Sequence, residues 1–337
     1  MSSFKALRMA LIGLTLIGPT LVAIPAQAAP TLAEVQAKVR QLEEDATSAA
    51  EGAQEAKVKL AILTRTLNGI KAKAEVQQET LSKLQKSLGA IAVAQYKSGT
   101  MGQGVELLFS SDPTLYLSAA GTLDAITRGK SVQLRKYEAA AQRLSATKLT
   151  VNDKLALVNA ASKKYAAQSA LALAKLAEAE ALLSKLKKSD RERLAKLAAA
   201  EEDADQASSR AAAKDADGVS GRAGIALKYA LKQIGDRYVF GAAGLVNWDC
   251  SGLTMRAYQA AGVSLPHSSA AQSRMGKPVA LKALKPGDLL FFGRPVSHVG
   301  IYLGGNRMVH APRSGSRVKV TTSLNMGRKA FVGARRY

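Results

Sequence analysis

Cys250 is the first candidate for chemistry, because it is the only cysteine among 337 residues. The sequence after it, through Tyr258 and Ala260, favours a helix, so Cys250 lies at or near a helix N-terminus. Unpaired backbone N–H groups and the helix dipole favour a thiolate there, which is what a nucleophile needs. The alternative is a buried cysteine that only packs.

Two of the three histidines supply the partners that such a nucleophile requires. His298 opens a predicted strand, His310 closes the next one, and a turn at 304–306 joins the two strands. If Leu303 pairs with Arg307, the two histidines are diagonal neighbours on one face, roughly 7–8 Å apart. We expect His298 to accept the thiol proton and His310 to fix its orientation. Two unrelated surface histidines, or a metal site, are the alternatives, although no carboxylate cluster accompanies the pair.

Five short motifs in order make residues 222–337 resemble an NlpC/P60 peptidase domain, the papain-like hydrolases of peptidoglycan peptides. They occupy residues 236–241, 249–253, 286–289, 297–302 and 308–311. The resemblance implies a papain-like α+β fold that cleaves γ-D-glutamyl–diamino-acid bonds in stem peptides, with no metal or other cofactor. Helices first and short strands afterwards independently favour an α+β domain.

The resemblance also implies roles for the residues around the nucleophile. The hydroxyl of Tyr238 would lie near the oxyanion, and Asp249 and Ser251 would line the pocket for the free amine of the stem peptide. His267 stands where the family often has arginine, so it either contacts substrate or is an exposed loop histidine. For Tyr238 the alternative is a half-buried aromatic side chain that only packs.

The first 28 residues predict a secretory signal peptide. Lys5 and Arg8 precede an apolar run at about 9–24, and Ala26-Gln27-Ala28 gives a small-x-small cleavage pattern. A membrane anchor is the alternative, but the run is short and contains Gly13, Gly18 and Pro19. We therefore expect a secreted, cell-wall-associated protein, which excludes nucleic acid as the obvious partner.

The charge of the chain indicates anionic surroundings. The net charge is +22, and residues 222–337 carry 18 lysines and arginines against 3 acidic residues, a net of +15. For an exported protein, the expected partners are anionic cell-wall polymers besides the peptidoglycan stem peptides.

The N-terminal half predicts a long coiled coil. Apolar residues recur every three or four positions over 31–97, and again from Leu134 to Leu186. Matched lengths favour an antiparallel hairpin over a parallel dimer. The predicted organisation is a signal peptide at 1–28, a hairpin at 29–200 with a small helical tip at about 98–130, a flexible linker at 201–221 and a catalytic domain at 222–337.

The hairpin is similar to the coiled coils of division-associated wall hydrolases, which the membrane complex FtsEX can control. That similarity makes FtsEX an expected partner through an apolar cluster at the tip, formed by Leu107, Leu108, Phe109, Leu115 and Leu117. The hypothesis is that the catalytic domain folds back on the hairpin and is released when the tip is engaged. For the hairpin, the alternative is a passive spacer. For the protein as a whole, the alternatives are a thiol acyltransferase on the same fold and a catalytically idle wall-binding or scaffold protein.

Overall fold

The computed structural model describes residues 30–97, 113–214 and 218–337. The predicted signal peptide and most of the predicted apolar tip cluster lie outside these residues. Leu117, which belongs to that cluster, is described and its side chain is exposed. Within the described residues, none of the helices combines the length and apolar character that crossing a bilayer requires.

Two long helices form the predicted antiparallel hairpin, α1 (Leu32–Lys97) and α2 (Pro113–Ser184). The first turns of α1 pack against the last turns of α2, with Leu42 and Ala179 buried in the same cluster. Further out, Lys148 donates to Gln78 and Lys130 donates to Gln95, so α2 returns along α1. The apolar seam predicted for α1 is buried or half-buried throughout, whereas Leu134 and Leu155 of the second predicted seam are exposed.

The segment predicted to be a flexible linker is mostly helical. Helix α3 (Lys188–Ala213) continues from the hairpin after a short turn and lies against the edge of the C-terminal sheet. Its Gln206 and Ser209 bind backbone atoms of Val318 and Val320, and Asp205 forms an ion pair with Lys319. On the face of α3 that contacts the sheet, polar side chains bond to backbone groups at the sheet edge. This face has no apolar stripe, so the apolar periodicity of the sequence does not reveal the contact.

The C-terminal part is the predicted α+β domain. Its helices are α4 (Gly221–Leu231), α5 (Cys250–Ala260) and α6 (Ser269–Gln272). Its strands are β1 (Arg237–Tyr238), β2 (Ala243–Gly244), β3 (Asn247–Trp248), β4 (Lys277–Val279), β5 (Leu289–Phe292), β6 (His298–Gly304), β7 (Arg307–His310), β8 (Lys319–Thr321) and β9 (Phe331–Arg336). The first three strands form a small sheet, and the other six form an antiparallel sheet in the order β4-β9-β5-β6-β7-β8.

A single apolar core holds α5 against this sheet. Leu227 of α4, Leu253 of α5, and Phe291, Ile301 and Val309 of the sheet are fully or almost fully buried in it. Removing such side chains from water is worth roughly 1.5–3 kcal/mol each. The core therefore fixes the first turn of α5 relative to β6 and β7, the elements that carry the candidate catalytic residues.

The contact between α3 and the sheet edge leads to a stability prediction. Ser209 Oγ accepts the backbone N–H of Val320 at 2.8 Å and is fully buried. We expect Ser209→Ala to lower the free energy of unfolding by about 1–3 kcal/mol, because a buried N–H loses its acceptor. Ser208→Ala is the matched control, since Ser208 is the exposed neighbour. Chemical denaturation measures both; equal stability of the two variants would contradict the role given to α3.

Candidate active site

Cys250 is the first residue of α5, as the sequence predicts, and it is fully buried. Asp249 caps the helix, with its Oδ1 accepting the backbone N–H of Gly252 at 2.6 Å. Gly252 has no room for a side chain, because a Cβ would lie 2.3 Å from the carbonyl oxygen of Ala242. The cap and this close approach fix the backbone at the nucleophile position.

His298 and His310 are joined by a hydrogen bond. His298 Nε2 lies 2.8 Å from His310 Nδ1, at the adjoining ends of β6 and β7. The strand register differs in detail from the prediction: Arg307 pairs with Gly304 rather than Leu303, because an irregularity after Tyr302 shifts the pairing. Both rings are buried, and burial lowers the pKa of His298 well below its ordinary value and that of His310 to about 3.

Each ring retains one free nitrogen. His298 Nδ1 and His310 Nε2 are buried without a hydrogen-bond partner in the described part of the chain. Because His310 occupies Nε2 of His298, the nitrogen of His298 left for proton transfer is Nδ1. Helix α5 packs against β6, so the base candidate and the cysteine come from adjacent elements.

The predicted substrate-binding residues lie together beside the cysteine. His267 Nε2 is 2.8 Å from both carboxylate oxygens of Asp249, so His267 is paired rather than an isolated loop histidine. Burial opposes its protonation, but the hydrogen bond and charge of Asp249 prevail and raise the pKa of His267. Ser251 is buried next to Asp249, and its hydroxyl lies 3.3 Å from Oδ1 of that carboxylate.

Tyr238, the predicted oxyanion residue, is buried in β1. Within the described residues its hydroxyl makes no hydrogen bond of good geometry, although the Thr47 side chain of α1 lies near enough to act on it. Burial, followed by the charges of Cys250 and Asp249, raises its pKa well above the ordinary value. The hydroxyl is therefore a protonated donor that remains available to a ligand.

Helix α1 covers the site, and Glu51 is the residue that enters it. The carboxylate of Glu51 accepts the Cys250 thiol at 3.2 Å, the Ser251 hydroxyl at 2.6 Å and the backbone N–H of Ser269 at 2.8 Å. Glu51 is itself buried, and so are the alanines on either side of it, Ala50 and Ala53. Small side chains allow the helix to approach closely, so the cysteine has no exposed surface.

This arrangement changes the ionisation of the nucleophile. Burial, followed by the charges of Glu51 and Asp249, raises the pKa of the Cys250 thiol well above its ordinary value. Burial and Asp249 likewise raise the pKa of Glu51. The helix N-terminus was expected to favour a thiolate, but in this arrangement desolvation and the neighbouring carboxylates keep the sulfur protonated.

Sequence reasoning missed two residues of the site. Glu51 left a signal: residues 43–55 contain five acidic residues and no lysine or arginine, in a chain of net charge +22. Gln272 left none; its amide donates to the carbonyl oxygens of Ser251 and Pro266, and its Oε1 accepts from Thr254. Within the described ranges, no cluster of three or more His, Cys, Asp or Glu residues could hold a metal ion.

The candidate site lies in a part of the chain that matches a known protein family. Residues 235–336 match the sequence profile of the NlpC/P60 family. These residues form an NlpC/P60 domain. The match covers the cysteine, the paired histidines His298 and His310 and all three predicted substrate-binding residues, and it leaves the hairpin and α3 outside.

Individual relatives match about a quarter to a third of the chain. A protein of Mycobacterium tuberculosis named a probable endopeptidase is 45% identical over 121 residues, which are 36% of this chain and 31% of the relative. The gamma-D-glutamyl-L-lysine dipeptidyl-peptidase of Bacillus subtilis is 36% identical over 94 residues, 26% of this chain and 32% of the relative. The chain thus spans about a third of the length of these relatives. The NlpC/P60 domain of the peptidoglycan hydrolase SagA is 35% identical, with 34% of this chain and 98% of that structure covered and a TM-score of 0.31.

The pair of His267 and Asp249 leads to a pH prediction. Because the pKa of His267 is raised in the fold, its contribution to stability is fully present below its ordinary value of 6.5 and is lost as the pH rises through the higher folded value. We expect the difference in unfolding free energy between the wild type and His267→Gln to stay constant below about pH 6.5 and to shrink as the pH rises above it. Glutamine at position 267 can still donate a hydrogen bond to Asp249 but carries no charge. The comparison therefore isolates the contribution of the charge on His267. A difference that does not vary with pH contradicts the ion pair.

Proposed function

We propose that the chain is a secreted cysteine endopeptidase that cleaves peptidoglycan stem peptides at the γ-D-glutamyl–diamino-acid bond. The observation that carries the proposal is a cysteine at the start of a helix that packs against β6, whose His298 is hydrogen-bonded to His310, inside an NlpC/P60 domain. The B. subtilis relative, whose name specifies a γ-D-glutamyl bond, supports the substrate class. The signal-peptide pattern at 1–28 supports export.

The geometry supports a thiol mechanism with one base. His298 Nδ1, which has no other partner, accepts the thiol proton while Nε2–H donates to Nδ1 of His310. The thiolate of Cys250 adds to the γ-carbonyl carbon, and the protonated His298 gives its proton to the departing amine. Water then hydrolyses the thioester with His298 again as base. Once α1 has moved, the donors that can reach the oxyanion are the Tyr238 hydroxyl and those N–H groups at the start of α5 that do not bind Asp249.

The contacts of Glu51 support an acidic substrate group next to the scissile bond. The Ser251 hydroxyl and the Ser269 backbone N–H both donate to its carboxylate, close to the nucleophilic sulfur. A γ-linked glutamyl residue carries a free α-carboxylate beside the bond that is cut. Helix α1 therefore presents, at the nucleophile, the same functional group that the proposed substrate presents.

We further propose that α1 holds the enzyme inactive. The cysteine is fully buried beneath α1, its thiol is hydrogen-bonded to Glu51, and its pKa is raised. A substrate reaches the sulfur only after α1 moves away, so the hairpin regulates the domain in addition to any role in localising it.

The first test addresses the mechanism. We expect Cys250→Ala to lower hydrolysis by roughly 10⁴-fold or more, since the nucleophile is lost. His310→Asn should retain more activity than His310→Ala, because its amide oxygen still accepts the Nε2–H of His298. Mass spectrometry of digested muropeptides identifies the bond that is cut. Undiminished cleavage by Cys250→Ala would exclude a cysteine peptidase and leave the wall-binding alternative.

The second test asks whether α1 blocks access to Cys250. Glu51→Lys places a cation against the N–H of Ser269 and near Lys329, whose charge already acts on Glu51. We expect at least about a tenfold increase in the alkylation rate of Cys250 and in the rate of peptide hydrolysis. The variant loses the hydrogen bonds of Glu51, which shifts the population towards an open state in which α1 no longer covers the cysteine.

Glu75→Lys is the matched control, with the same charge change at an exposed position of α1. Its rates should equal those of the wild type. Equal alkylation rates in the Glu51 and Glu75 variants, both folded by circular dichroism, would mean that α1 does not limit access to the cysteine.

A further inference from the structure

Three arginines of the C-terminal domain form ion pairs with carboxylates of α1. Arg274 binds Glu55 at 2.9 Å, Arg313 binds Glu43 at 3.1 Å, and Arg328 binds Asp45 at 3.3 Å. Lys329, next to Arg328, lies within electrostatic range of Cys250, Glu51, Glu44 and Asp45. We call these four cations, Arg274, Arg313, Arg328 and Lys329, the basic rim.

Resting on the proposed function, we propose that the basic rim binds a linear phosphate-bearing polymer, which displaces the acidic segment of α1 and opens the active site. The acidic segment is residues 43–55, where five carboxylates occur without a lysine or arginine. These carboxylates occupy the positions that the anionic groups of the polymer would take.

The spacing of the rim favours a polymer over a single anion. Its partners on α1 run from Glu43 to Glu55, which is roughly 18 Å along a helix at about 1.5 Å per residue. A single phosphate cannot contact both ends of this span, whereas one chain with repeated charges can. Linked contacts strengthen one another through effective concentration. Three of the four rim residues are arginines, whose planar guanidinium binds phosphate with two parallel hydrogen bonds.

Two of the four rim residues, Arg274 and Arg328, are accessible before α1 leaves. The side chains of Arg274 and Arg328 remain 63% and 59% exposed while paired. A pocket of about 360 Å³ lies at the boundary between α1 and the domain, lined by Glu44, Asp45, Arg294, Arg328 and Lys329 among others. A polymer can therefore engage part of the rim and then replace the carboxylates one by one. Such exposed ion pairs are weak and screened by salt, so exchange is feasible.

The experiment uses the full mature chain and linear inorganic polyphosphate as the probe. Calorimetry measures binding, and the alkylation rate of Cys250 measures opening without relying on hydrolysis. In the wild type we expect polyphosphate to raise the alkylation rate at least severalfold, and orthophosphate at the same total phosphate concentration to leave it unchanged. An equal response to poly-L-glutamate of matched charge would overturn the assignment to phosphate.

Two double variants should change binding in opposite directions. Arg274→Gln/Arg328→Gln removes rim contacts and should bind polyphosphate roughly fivefold more weakly. Asp45→Asn/Glu55→Gln removes the competing carboxylates, leaves both arginines free, and should bind more tightly than the wild type. Both variants lose ion pairs that hold α1 over the active site. Alkylation of Cys250 without polymer should therefore be faster in both.

The matched control is Lys277→Gln/Lys282→Gln, which removes two positive charges at exposed positions of the same domain that bear no ion pair to α1 in the described chain. If the arginine variant and this control lose affinity equally, binding reflects net charge alone and the proposal fails. It fails also if the acid variant does not bind more tightly. Failure of the proposed hydrolase would appear differently, as absent hydrolysis in every variant with the order of polymer affinities preserved.

Discussion

The burial of one carboxylate, that of Glu51, determines how the two halves of the chain fit together. A buried carboxylate is costly unless donors surround it, and among the described residues the Cys250 thiol, the Ser251 hydroxyl and the Ser269 N–H donate to this one. Moving α1 by one residue along its axis would remove Glu51 from these donors. The seam between α1 and α2 must therefore leave the face carrying Glu51 free, and alanines on that face allow the close approach.

A second attachment supports the same site from the β8 edge of the sheet. Helix α3 binds β8, and β8 pairs with β7, where Lys319 lies opposite His310. Satisfying the backbone of the edge strand keeps β7 in register, and the register determines where the His310 ring lies relative to His298. The segment between the hairpin and the domain thus contributes to the catalytic geometry, which a flexible linker would not do.

Much of the fold and of the candidate site could be predicted, for reasons that differ by residue. Cys250 was recognisable because it is the only cysteine and precedes a helix, and the histidine pair because a short hairpin leaves few possible registers. The contacts of Ser209 and Glu51 could not be predicted, because each joins segments more than 100 residues apart through single polar side chains. Such contacts have no periodicity, and the acidic run at 43–55 indicated a charged partner without indicating which one.

The closed arrangement also explains how one movement could expose and activate the nucleophile together. The causes that raise the pKa of Cys250 are, in order, burial, Glu51 and Asp249. The first two depend on α1, whereas Asp249 belongs to the domain and is paired with His267. In the proposed open state α1 has moved away, so water reaches the sulfur, the carboxylate of Glu51 is gone, and the helix N-terminus is the main influence on the thiol. The thiolate expected from the sequence would then belong to the open state.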